Sequence, residues 1–96
     1  MIPDWPFEDS PNVAVITLRQ ILEGSAPILH VTHDEEDGGW QFLTGDPPDE
    51  ADAKVVALST IVRIDPSIVE LADLPEGWVA VREATAAPWR RLRKNR

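Results

Sequence analysis

Apolar positions fall into short clusters between polar, proline- or glycine-bearing stretches, and no cluster keeps one period for long. "VAVI" (13–16) is short and β-branched, which predicts a strand or an extended entry segment. "TLRQILEG" then carries helix punctuation. Thr17 is placed to cap, Gln20 to reach back to it, Ile16 and Ile21 occupy the staple positions, and Gly24 can end the helix. A short helix over 18–23 follows from that pattern. "PILHVTH" (27–33) and "WQFL" (40–43) alternate as strands, with an antiparallel hairpin as the economical pairing. Leu29, Val31 and His33 share one face of the first strand; Ile28, His30 and Thr32 share the other.

"TGDPPDEADA" is a polar connection without periodicity, and "KVVAL" (54–58) predicts a third strand. Ser59 is expected to cap "TIVRI". Asp65-Pro66 reads as a second cap with proline at the first helical position, so two short helices or one interrupted helix should follow. "WVAVR" (78–82) alternates and predicts a closing strand. The fold class is α+β: a small single domain with a three- to five-stranded, mostly antiparallel sheet and two or three short helices over one face. Leu29, Val31, Trp40 or Leu43, Val55, Ile61, Val62, Ile68, Val69, Val79 and Val81 are expected to dominate its core. Residues 1–12, with three prolines, form an irregular N-terminal arm pinned by Trp5 and Phe7; residues 13–86 form the domain; residues 87–96 form a basic C-terminal tail.

Composition narrows the class. Ninety-six residues, 43% hydrophobic and 27% charged, suit one globular core. The lack of cysteine excludes disulfides, a thiolate zinc site and a cysteine nucleophile. No stretch reads as a signal peptide or reaches the ~18 apolar residues of a membrane span, so a soluble, cytoplasmic protein is expected. Charge is uneven: five of nine basic residues lie in the last seven positions, leaving four basic against seventeen acidic residues in 1–89, or −13. A body that acidic repels nucleic acid and attracts basic partners. The tail reads as a solvated terminus by default, and its functional alternative is docking on the 34–37 or 46–52 acids with Trp89 as the anchor.

The densest chemistry is "HDEEDGGWQFLTGD" (33–46), where Asp34, Glu35, Glu36 and Asp37 precede two glycines and a tryptophan. As a calcium loop starting at Asp34 it fails, because positions 5 and 12 fall on Gly38 and Gly45. His30 and His33, three apart on a strand, point to opposite faces and cannot share a zinc ion. No phosphate-cradling glycine loop occurs, and nothing locates a nucleophile or an oxyanion hole, so no enzyme and no cofactor is expected. Three readings of the acids remain. They are a solvated hairpin tip with no further role, or a surface that attracts a basic protein together with Asp46, Asp49 and Glu50, or a small-ligand or divalent-metal site.

The segment also resembles a known family. Asp37, Gly39, Trp40, Phe42 and Gly45, then Asp65, Pro66 and Ser67, then Leu74, Pro75 and Gly77 match a pattern of small bacterial proteins of uncharacterised function. That pattern has an acidic D-x-x-G-W-x-F-x-x-G segment and a later D-P-S helix step. The family is grouped with immunity proteins of bacterial toxin systems, which implies a non-catalytic inhibitor that binds a toxin.

Overall fold

The computed structural model describes residues 5–94. Its strands are β1 (Ala14–Leu18), β2 (His30–His33), β3 (Trp40–Leu43), β4 (Ala53–Ala57), β5 (Trp78–Val81) and β6 (Arg90–Arg93). Its helices are α1 (Arg19–Leu22) and α2 (Leu58–Ile64), with 3-10 segments at Glu50–Asp52 and Pro66–Leu71. The strands form one sheet in the order β4-β1-β3-β2-β5-β6. All neighbouring pairs are antiparallel except β1 with β3. The sheet is therefore mixed and has six strands, more than the three to five expected. The basic segment supplies the sixth.

Register fixes the two faces. Thr17, Phe42, Val31, Ala80 and Arg91 are opposed in one row, and Trp40, His33, Trp78 and Arg93 in the next. Val15, Thr17, Trp40, Phe42, Val31 and Ala80 of this face are all buried. They meet Ile21 of α1, Leu58 and Ile61 of α2, and Ile68, Leu71 and Leu74 from the segment before β5. Phe7 of the arm closes the cluster, edge-on to Trp40 at 5.5 Å between ring centres, and Trp5 packs on Phe7. The Thr17 hydroxyl, fully buried, donates to the Phe42 carbonyl at 2.8 Å, so no polar group is stranded there.

Several local expectations are corrected. Thr17 does not cap a helix: β1 runs through it, α1 begins at Arg19, and Leu18 holds the cap position without a side-chain bond. The hydroxyl that would cap is spent on the Phe42 carbonyl. Ser59 likewise lies inside α2, which starts at Leu58 after Ala57. Asp65 does cap: its carboxylate accepts from the Ser67 N–H at 3.0 Å, and Pro66 takes the first position of a 3-10 segment. In the core, Val56 opposes the buried Val15, so Val55 points away and is 69% exposed. Val79 and Val81 also point away, because Trp78 and Ala80 oppose His33 and Val31. Ile28 is buried where Leu29 is half-buried, since β2 starts only at His30 and alternation does not extend before it. Val69 lies on the outer side of its 3-10 segment.

Chain path places the acidic loops. The β2–β3 hairpin tip lies at one end of the sheet. The 44–52 connection runs past the other end of β1, because β3 leaves and β4 enters at the Leu18 end of the β1 strand they flank. Asp52 ties that crossing down: it accepts from Gln20 Nε2 at 2.8 Å and from Arg19 Nε at 3.2 Å.

Candidate functional site

The hairpin tip is built by its own aspartates. Asp34 Oδ1 accepts from the Glu36 N–H and Asp37 Oδ1 from the Gly39 N–H, both at 2.7 Å, while the Asp34 N–H bonds the Gly39 carbonyl at 2.8 Å. These side chains close local turns that compete with continued strand. Gly38 takes a φ of +71°, which a residue with a side chain adopts at a cost. Two of the four acids thus shape the loop. Glu36 is exposed, and Glu35, also exposed, lays its side chain beside Gly77.

The loop leans over the sheet end. Asp34, Glu35 and Glu36 line a cavity of about 410 Å³ together with Thr32, Gln41 and Lys94. Thr32 and Gln41 belong to the face opposite the core. The remaining expected site residues, Asp46, Asp49 and Glu50, are exposed at the far end of the sheet. Asp49 accepts from the Ala51 N–H at 2.9 Å and starts the 3-10 turn there. The seven acids therefore form two groups at opposite ends of one sheet and not a single patch.

Between those ends no helix among the described residues covers the second face of the sheet. Val55, Ile16, Gln41, Thr32, Val79 and Leu92 are opposed pair by pair across all six strands. Of the large apolar side chains that stand exposed among the described residues, Ile16, Val55 and Leu92 fall in this one row. The next row holds Leu43, His30, Val81 and Arg90. His30 is half-buried, and burial lowers its pKa, which keeps the ring neutral at pH 7. Sequence reasoning missed this face because it put Val55, Val79 and Val81 in the core.

It also missed Arg82, whose side chain is 1% exposed. Its guanidinium donates to Asp65 Oδ2 at 2.6 Å, Ser67 Oγ at 2.9 Å, the Ile28 carbonyl at 3.0 Å and the Thr85 carbonyl at 2.8 Å. The Trp89 ring lies 4.1 Å beneath it. Burial pushes the Asp65 carboxyl up, but the bonds from Ser67 and Arg82 outweigh that and hold it below the usual range. This network joins the D-P-S step, β5 and the approach to β6. A charged residue at the end of an alternating strand was the signal available.

His33 stacks on Trp40 at 3.9 Å between ring centres, and its Nδ1 donates to the Leu74 carbonyl at 2.8 Å. Trp40 Nε1 donates to Asp9 Oδ2 at 2.8 Å. These polar atoms are held by their neighbours and take a packing role. Among the described residues, no three His, Cys, Asp or Glu side chains are grouped to hold a metal ion. No helix among them is long and apolar enough to cross a membrane.

This small α+β domain thus carries exposed acids at both ends of its sheet and exposed apolar side chains along one sheet face. Residues 28–93 match the family model described as the Immunity protein Imm33 domain, and the chain belongs to that family. The match runs from just before β2 to the end of β6, so the basic strand lies within the family domain and β1 lies outside it. No curated protein and no solved structure matches the chain.

Proposed function

We propose that this chain is a non-catalytic immunity protein that binds a toxin with a basic surface and blocks it by occupancy, acting in the cytoplasm. Membership of the Imm33 family over residues 28–93 carries the reading. Charge supports it: a body of −13 over residues 1–89 raises the encounter rate with a basic protein and gives nucleic acid no purchase. A toxin that acts on nucleic acid must present a basic groove to phosphates, so it is the partner class this charge fits best. Asp34, Glu35, Glu36, Asp37, Asp46, Asp49 and Glu50 supply the attraction. Glu36 is foremost among the hairpin acids, because it is exposed while Asp34 and Asp37 are engaged in the loop itself.

Calorimetric titration with each protein encoded by the genes flanking this one, a nuclease-like product being purified as an inactive variant, tests the reading. Saturable one-to-one binding is expected, weakening between about 50 and 300 mM salt as screening shortens the Debye length. An absence of binding at both salt levels overturns it.

A further inference from the structure

We infer that the partner docks across the face of the sheet that no helix among the described residues covers, with Val55 and Ile16 on one side and Val79 and Leu92 on the other side of the central Gln41 and Thr32, and the two acidic ends as its margins. The inference rests on the toxin-binding reading and adds the surface to it. Exposed large apolar side chains scattered singly need no explanation, but Ile16, Val55 and Leu92 stand with the half-buried Val79 in register in one row that crosses every strand. At its middle the row runs into the cavity under the hairpin tip through Thr32 and Gln41. Apolar contact surface bordered by charged margins is the anatomy of a protein interface.

Area and charge select the occupant. Six strands about 4.8 Å apart, with four residues each rising about 3.4 Å, give a footprint of roughly 330 Å². Even allowing for side-chain relief, that falls short of the ~800 Å² per partner that a stable complex buries. The contact reaches that size only by taking in the acidic ends as well. Two copies of this chain packed with strands aligned would set acidic end against acidic end, which like charge opposes. The complementary occupant is a different protein, apolar over its contact face and basic at its margins.

Three variants in the titration described above decide the matter, each first checked for an unchanged far-ultraviolet spectrum and melting temperature. Val55→Lys with Leu92→Lys places charge on exposed positions of the open face, so the fold tolerates it. Binding of the toxin is expected to weaken at least about tenfold, as it does when the apolar contact surface of an interface is lost. Glu36→Lys with Asp49→Lys, one at each end, should weaken binding chiefly at low salt. Val69→Lys, exposed on the helical side, should leave it unchanged. If the wild type binds while the open-face pair binds equally well, or while Val69→Lys disrupts binding, the inference fails and the toxin-binding reading stands. If the wild type does not bind, both fail. If the wild type sediments as a dimer that the open-face pair dissociates, the occupant is a second copy and the inference is overturned.

Discussion

The aspartates and glutamates of residues 34–37 divide their work at the level of single side chains. Asp34 and Asp37 each accept a backbone N–H two residues ahead and hold the turn, so Asp37→Ala should loosen the loop while Glu36→Ala should not. Amide exchange of Gly39 checks this: faster in the first variant, unchanged in the second. Trp40 is 3% exposed between Phe7, His33 and Phe42, so Trp40→Ala should cost roughly 3–5 kcal/mol in chemical denaturation, as large-to-small core changes do. Arg82→Met should cost a similar ~3–5 kcal/mol, because it strands the Asp65 carboxylate that now has a buried partner. The two positions differ in how far the sequence announced them. Trp40 lies in an alternating strand beside a glycine turn and is readable as core. Arg82 bonds a carboxylate 17 residues away, and no local period carries that information. His30 gives a pH signature. Its folded pKa is lowered from 6.5 by burial, so the unfolded chain binds the extra proton and stability falls as pH drops below about 6.5. His30→Phe should remove that part of the decline between about pH 7 and 5, where an unperturbed histidine titrates. An identical slope in wild type and variant would assign the decline to other groups.

Single elements were legible where composition and pairing agreed. The hairpin of β2 and β3 follows from alternation on either side of a glycine turn, and the Asp65-Pro66 start from capping chemistry. Faces were harder. In "KVVAL" both valines suit a strand, and only the pairing of Val56 with Val15 settles which turns inward. In "WVAVR" alternation by size favours the valines, but the register with His30–His33 turns Trp78 and the small Ala80 in. A one-residue parity choice exchanges every side chain between faces, which is why the uncovered face stayed hidden. The basic segment shows the same limit. Net charge reads as a tail, whereas Arg90–Arg93 pairs with β5 along its length. Trp89 does anchor it, against Arg82, but the acid that Arg91 meets is Asp73, at 2.8 Å, and not the 34–37 or 46–52 group. Asn95 and Arg96, and residues 1–4 of the arm, lie outside the described residues. Ending the chain at Pro88 should therefore lower the melting temperature at low and high salt alike, since backbone pairing and apolar packing are lost with it. A loss confined to low salt would return the segment to ion pairing.

At the scale of the molecule, one side of the sheet holds the core and the other carries the exposed row of Val55, Ile16 and Leu92. The 44–52 crossing and the hairpin tip put exposed acids at both ends of that second side, and the β1–β4 pair extends it past the edge of the family match. Among the described residues no three His, Asp or Glu side chains are grouped to hold a divalent cation. Calcium, magnesium or zinc should leave the melting temperature unchanged, because a ligand that binds the folded state alone raises it by mass action. A saturable rise with calcium would instead assign the 34–37 carboxylates to a metal. The most direct measurement of the central claim is the toxin's own activity, followed while the chain is added in increasing molar ratio. Occupancy predicts a linear fall that ends at one chain per toxin. Full loss of activity far below one equivalent, or none at a large excess, would contradict it.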